Sequence, residues 1–269
     1  MKTSKKYMQF RNKYGPYALV AGGSSGLGAA FAESLARWGL NLILTAREKD
    51  RLEATAARLR EKYSAEVLTF AADLADYENV KKLIDDLISQ KKSIGLLVYN
   101  AAFAPIGLFE NTGEDQLSLA AAVNVKTPLL LTKYLSAPMI KNKKGGIVLM
   151  SSLAGSQGSP NLAAYAATKA FNAILAEGLW KELKPRGVDV IGCCAGAILT
   201  PGYQQAEKTG QAPGTMTAED VAEQTLNALG KGPIVIPGGI NKIGRFVLTR
   251  LLTRKAAIDI MSKNTGGLS

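Results

Sequence analysis

From residue 17 onward, short apolar runs alternate with longer stretches whose apolar positions recur every three or four residues. The runs predict strands at Tyr17–Ala21, Asn41–Thr45, Glu66–Phe70, Gly95–Tyr99, Gly146–Ser151, Val188–Cys194 and Pro233–Ile236. The periodic stretches predict helices over Gly26–Trp38, Glu48–Lys62, Tyr77–Gln90, Ala163–Leu183 and Ala218–Leu229, with one long helix from about Gly113 to Met139. Thr217 with Asp220 three residues on is an N-capping pattern for the last of them. Strand–helix alternation implies a parallel sheet covered on both faces by right-handed crossovers, with a ligand site at the carboxyl ends of the strands. No linker, repeat or low-complexity stretch divides the chain. The expected architecture is α/β, one doubly wound domain over residues 1–269 with a mostly seven-stranded parallel sheet.

Composition narrows the chemistry. Apolar residues make up 47% of the 269, enough for a sizeable core. The longest stretch without charge, Gly145–Thr168, is broken by Gly, Ser and Pro and does not read as a membrane span. The first thirteen residues carry five Lys/Arg where a secretory leader would be apolar, so a cytoplasmic protein is expected. Cys193 and Cys194 are adjacent, poor geometry for a mutual disulfide, and fit a reducing compartment. There is no histidine, which excludes Ser-His-Asp and Cys-His couples and any His-ligated metal. Acid/base work then falls to a carboxylate, a Lys or a Tyr with a shifted pKa. The net charge of +11 sits at the two ends: residues 1–13 read as a basic extension and 240–269 as a basic tail, around a neutral body. That is not the basic stripe of a nucleic-acid binder, and no nucleic-acid partner is expected.

The turn Ala21-Gly22-Gly23-Ser24-Ser25-Gly26-Leu27-Gly28 joins the first strand to the first long helix. Glycines there let backbone approach a pyrophosphate, and the helix start offers free N–H groups to the anion. Gly22, Ser24, Ser25, Gly26, Leu27 and Gly28 are thus candidate cofactor contacts in a Rossmann-type domain. The second strand runs out into Thr45-Ala46-Arg47, with Ala46 where an NAD-preferring domain usually carries an acid and Arg47 at the edge beside it. A guanidinium fork suits a 2′-phosphate, so NADP is the expected cofactor. Asp73-Leu74 follows the third strand; Asp73 either faces an adenine or caps the next helix.

Tyr165 and Lys169 are four apart on a predicted helix and share a face. An ammonium beside a phenol favours phenolate and lowers a pKa that is otherwise near ~10. Spacing alone does not select the pair, because Tyr77 and Lys81 repeat it at the polar start of another helix. Tyr165 lies instead among Ala163, Ala164, Ala166 and Ala167, small neighbours that let a ligand come close. Ser152 ends the fifth strand thirteen residues before Tyr165, and Asn124 lies twenty-eight before Ser152.

With the glycine turn and the Asn…Ser…Tyr-x3-Lys series in order and in register, the chain resembles the short-chain dehydrogenase/reductase superfamily from about Tyr17 to Ile236. The resemblance implies an NADP(H)-dependent oxidoreductase moving a hydride between a nicotinamide and a lipophilic carbonyl or alcohol. It implies that Tyr165 exchanges the proton at the substrate oxygen and that Ser152 holds that oxygen. Lys169 would bind the nicotinamide ribose and lower the Tyr165 pKa, and Asn124 would hold a water that relays protons to Lys169. Ile198 and Thr200 would face the nicotinamide amide, and Asn100 and Ala101 the adenosine ribose. The chain departs from the family pattern at Ala21, at Tyr99-Asn100-Ala101-Ala102 and at Ala195 before Gly196.

Pro201–Met216 is the expected substrate loop, with Phe103, Ile106, Phe109, Leu153 and Tyr203 as apolar lining. Lys13-Tyr14-Gly15 and Thr45–Leu52 are also similar to the branch that reduces 17-ketosteroids and long-chain 3-oxoacyl-CoA. Partners expected are a small lipophilic carbonyl or alcohol and further copies in a homo-dimer or homo-tetramer. The tail Ile240–Met261 places apolar residues at helical spacing among basic ones. It reads as packing over the substrate cleft or a subunit interface in preference to a peripheral membrane contact. The alternative to an enzyme is a non-catalytic NADP-binding regulatory protein.

Overall fold

The computed structural model describes residues 5–200 and 212–265. Seven parallel strands form the sheet in the order β3-β2-β1-β4-β5-β6-β9. They are β1 (Tyr17–Ala21), β2 (Asn41–Ala46), β3 (Val67–Ala71), β4 (Ile94–Tyr99), β5 (Gly145–Ser152), β6 (Val188–Ala195) and β9 (Ile234–Val235). The order turns back on itself between β1 and β4, and the carboxyl ends of those two strands open a crevice there. A separate pair, β7 (Ile198–Leu199) and β8 (Met216–Thr217), lies beside the far end of β6.

Strand alternation divides the core in two. Ala18, Val20, Leu42, Leu44, Leu96 and Val98 face one side, against α2 (Gly26–Arg37), α3 (Lys49–Tyr63) and α8 (Ala218–Ala228). Tyr17, Leu19, Ile43, Leu97 and Leu149 face the other, against α4 (Tyr77–Ser89), α6 (Thr127–Lys141) and α7 (Ala163–Leu183). Both faces of β1 are buried, as a central parallel strand requires.

Two stretches go beyond the sequence-based expectation, and a third, the tail, follows its helical spacing. The basic extension, for which the pattern predicts no element, forms helix α1 over Lys5–Tyr14. Its aromatic side closes on Trp38, with Tyr7 stacked at 5.0 Å and Phe10 edge-on at 4.9 Å. Burying large apolar side chains stabilises by roughly 1.5–3 kcal/mol each, more than the clustered lysines lose by mutual repulsion at the exposed side. The long helix is broken into α5 (Glu114–Ala121), a π-turn over Ala122–Lys126, and α6. Tertiary bonds made by Asn124 hold this wider turn. The basic tail folds as α9 (Gly239–Phe246), a second π-turn over Val247–Leu251, and α10 (Arg254–Thr265). It docks near the carboxyl end of β5: Arg254 donates to the Ser156 carbonyl at 2.9 Å, and Asn161 donates to the Thr265 carbonyl at 3.1 Å.

Candidate active site

The glycine turn between β1 and α2 is shaped by close approach. Gly22 has φ +78° and Gly26 φ +51°, conformations that side chains rarely adopt. A Cβ on Gly28 would collide with the Gly22 carbonyl and come within 2.8 Å of Asn100 Nδ2. Asn100 fastens this turn to the end of β4, donating from Nδ2 to the Gly22 carbonyl at 3.2 Å. Ser25 occupies the N-cap of α2 in extended backbone without capping it through its hydroxyl. The helix start is therefore presented to whatever lies in front of it.

In front of it lie two adjoining cavities at the carboxyl ends of the strands. One, of about 310 Å³, is lined by Gly22, Ser24, Ser25, Arg47, Asp73, Leu74, Asn100 and Ala101. The other, of about 920 Å³, is lined by Ser25, Gly26, Leu27, Ser152, Tyr165, Lys169, Ile198 and Thr200. Ser25, Arg47, Arg51 and Asn100 line both, so they form one cleft. Of the expected site residues, Gly28 and Asn124 line neither wall. Gly28 is packed behind the glycine turn, and Asn124 is fully buried behind Phe103.

A cleft of this form fits a dinucleotide. Close backbone, a helix start and an arginine pair sit where the two cavities join, and a hydroxyl, a phenol and an amine line the larger one. Ala46 puts no carboxylate beside Arg47. Arg51, one helical turn further on, also lines the cleft and is paired with Glu48 at 3.3 Å. Sequence reasoning missed Arg51; its spacing of four from Arg47 was the available signal.

The polar end is built by β5 and α7. Ser151 and Ser152, adjacent in sequence, point opposite ways from the strand. Ser151 is buried and donates to the Lys169 carbonyl at 2.7 Å, while Ser152 lines the cleft and hydrogen-bonds with the Tyr165 phenol. Burial pushes the Tyr165 phenol above its ordinary range, and the Ser152 hydrogen bond draws it back in part. Burial pulls the Lys169 ammonium down to about 8. Lys169 Nζ donates to the Met150 carbonyl at 3.0 Å and lies 5.5 Å from the Tyr165 ring centroid. The strand carbonyl takes one donor of the Lys169 ammonium, and burial is the largest influence on the phenol.

Asn124 sits in the π-turn and ties three segments together. It accepts from the Phe103 N–H at 2.8 Å, and donates to the Phe103 carbonyl at 2.7 Å and to Thr168 Oγ1 at 3.0 Å. Thr168 in turn donates to the Tyr165 carbonyl at 2.7 Å. Asn172, also missed, donates to the Asn124 carbonyl at 2.9 Å. Asp73 does not cap the next helix: Asp76 does, accepting from the Asn79 N–H at 2.9 Å. Asp73 accepts from the Ala75 N–H at 2.9 Å and faces the cleft.

The apolar substrate candidates are less well gathered. Phe103 lines the smaller cavity at the arginine end, whereas Ile106 and Phe109 stand exposed on the loop after β4. Leu153 is half-buried in the turn after β5. Tyr203 and most of the expected substrate loop lie outside the described residues.

Comparison with known proteins places these features. A family profile described as short chain dehydrogenase matches residues 16–211. A 7beta-hydroxysteroid dehydrogenase from Clostridium sardiniense is 28% identical over 237 residues, covering 87% of this chain and 90% of that protein. A very-long-chain 3-oxoacyl-CoA reductase from Podospora anserina is 37% identical over 187 residues, 66% of this chain and 53% of the reductase. Among solved structures, a 7beta-hydroxysteroid dehydrogenase examined for stereoselectivity superposes with TM-score 0.87 at 26% identity, covering 94% of this chain and 99% of that one. A short-chain dehydrogenase from Sphingobium yanoikuyae in complex with NADPH superposes with TM-score 0.76 at 30% identity, covering 82% and 87%.

Proposed function

The chain belongs to the short-chain dehydrogenase family, nicotinamide-dependent oxidoreductases acting between CH–OH and C=O, and on that premise we propose an NADP(H)-dependent reductase of lipophilic ketones. The observation that carries this reading is the polarity of the cleft. Ser152, Tyr165 and Lys169 line the larger cavity, and Arg47 with Arg51 line the part it shares with the smaller one, with Ala46 rather than an acid directly before Arg47.

When bound, the dinucleotide supplies or accepts the hydride; the rest belongs to the chain. Ser152 Oγ holds the substrate oxygen beside the Tyr165 phenol. Tyr165 gives its proton to that oxygen in reduction and takes it back in oxidation. The phenol is protonated at neutral pH and so is ready to give its proton as the oxygen it faces develops charge. Lys169 holds the nicotinamide ribose by its ammonium, and its depressed pKa lets it pass a proton near neutrality. Arg47 and Arg51 hold the 2′-phosphate. The similarity to hydroxysteroid dehydrogenases and 3-oxoacyl-CoA reductases, together with the apolar loop residues, favours a bulky lipophilic carbonyl as substrate.

The test is cofactor consumption with a panel of steroid-like and long-chain ketones. A charge-assisted contact to phosphate contributes roughly 1.5–3 kcal/mol, or about ten- to a hundredfold. NADPH is expected to exceed NADH at least tenfold in kcat/KM. Arg47→Ala is expected to erase most of that margin through KM, because the phosphate is remote from the chemistry. Equal use of both cofactors by the unaltered chain overturns the NADP assignment. No turnover with any ketone, despite tight NADPH binding, favours a regulatory protein instead.

A further inference from the structure

Helix α9 is turned inside out. At 100° per residue, Ile240, Ile243 and Phe246 fall within an arc of about 120°, with Asn241 on the opposite side. A surface helix ordinarily turns such a stripe toward the core. Here Asn241 is the buried residue, while Ile240, Ile243 and Phe246 are 64%, 67% and 57% exposed. Leu251, at the end of the following π-turn, is 65% exposed. The inward face is fixed by specific bonds. Asn241 Nδ2 donates to the Gly214 and Pro237 carbonyls, each at 3.0 Å, and the side chain lies against Gly196 in the cleft wall. Rotating the helix to bury its apolar stripe would break both bonds and leave a buried amide without partners.

We propose that this outward face is a docking surface for an anionic lipid bilayer. Charge decides between the candidate occupants. From Gly239 to the end of the chain six bases stand against one acid, Asp259. Lys242, Arg250 and Lys255 are exposed beside the apolar residues, and among the described residues none of them is paired with a carboxylate. A second copy on a two-fold axis would bring this segment against itself, like charge on like, with one carboxylate per chain to compensate. An anionic surface meets both halves of the pattern. Acyl chains take Ile240, Ile243 and Phe246, and headgroups take the three bases. This goes beyond the reading of the cleft and does not depend on it.

The test is co-sedimentation of the full chain with sucrose-loaded vesicles of about seven parts phosphatidylcholine to three of phosphatidylglycerol, against pure phosphatidylcholine. The chain is expected to pellet with the anionic vesicles alone, and to be released several-fold by about half-molar salt. Ile243→Asp with Phe246→Asp, and separately Lys242→Glu with Arg250→Glu, are expected to reduce the bound fraction at least tenfold. Melting temperature, elution volume and NADPH turnover of a soluble ketone should stay unchanged. Ile243→Ser alone serves if the double apolar variant does not fold, with a smaller loss in the same direction. Retention of the unaltered chain in the supernatant overturns the proposal, as does pelleting of the variants like the unaltered chain. Elution of the apolar variant as a smaller species, with lipid binding intact, assigns the face to a second copy and also overturns it.

Discussion

The chain contains Tyr-x3-Lys twice, and the two copies share nothing but their spacing. Tyr77 opens α4 and is 45% exposed, with the Lys126 ammonium resting 4.5 Å from its ring centre and Lys81 in solvent. Tyr165 is half-buried on α7, and its lysine is 3% exposed with its ammonium bound to a strand carbonyl. Burial changes both members of the second pair: the phenol is pushed up and the amine down to about 8. Burial therefore separates two proton affinities that are nearly equal in water and favours the uncharged form of each group. What sets the second copy apart is the small residues and the strand packed around it.

The largest expected effect separates the two tyrosines. Tyr165→Phe should lower kcat roughly 10²–10⁴-fold while NADPH affinity stays within about twofold, and Tyr77→Phe should leave both unchanged. Steady-state kinetics with a fluorescence titration of cofactor decides it; the reverse pattern sinks the assignment. Next come the lysines. Lys169→Met should cost about ten- to a hundredfold in kcat/KM through both constants, and Lys81→Met nothing measurable. Third, the frame behind Tyr165 should be stiffer than the one behind Tyr77. Asn124→Ala strands the Phe103 N–H and carbonyl and should destabilise by about 2 kcal/mol, against under ~0.5 for Asn79→Ala, by denaturant midpoints.

The smallest effect is a pH signature of the buried amine. Lys169 has a folded pKa of about 8 against an ordinary 10.5, so between those values the unfolded chain binds the extra proton. Stability therefore rises with pH there, by about 1 kcal/mol from pH 8 to 9. Above pH 9 the opposite term enters. Burial pushes the Cys193 thiol up to about 12, so the folded chain keeps a proton that the unfolded chain releases. The difference between the unaltered chain and Lys169→Met isolates the first term; equal pH slopes for the two would refute it.

Much of this was readable before the fold was known, for physical reasons that can be named. β1, β2, β4, β5 and β6 announce themselves because strands buried on both faces are continuous apolar runs, and α2 and α4 because one face repeats every 3.6 residues. The glycine turn was legible because Gly28 tolerates no side chain. Ser152 and Ser151 were ambiguous in sequence and are separated only by the pleat, which sends one into the cleft and the other under α7. The π-turn at Ala122–Lys126 escaped notice because apolar spacing continues across it; it is set by bonds to Phe103 and Thr168, which are distant in sequence. Helix α1 was hidden by its own lysines, since three aromatics on one side outweigh the charge only once Trp38 is there to receive them. For α9 the amphipathic pattern was visible but its direction was not, because periodicity carries no sign.

Helix α1 also has a history in time. Its aromatic residues meet Trp38, which lies close behind them in the chain and leaves the ribosome soon after. Its last residue, Tyr14, donates its hydroxyl at 2.6 Å to Oδ2 of Asp189, 175 positions further along the chain, and Lys13 pairs with the same carboxylate. At about 5–20 residues per second, translation takes roughly 9–35 seconds to deliver that acceptor. Until β6 emerges, the phenol must remain hydrated and the end of α1 unsettled, while β1, β2 and β3 are already free to assemble beneath it. Helix α1 is fastened at one end early and at the other end late.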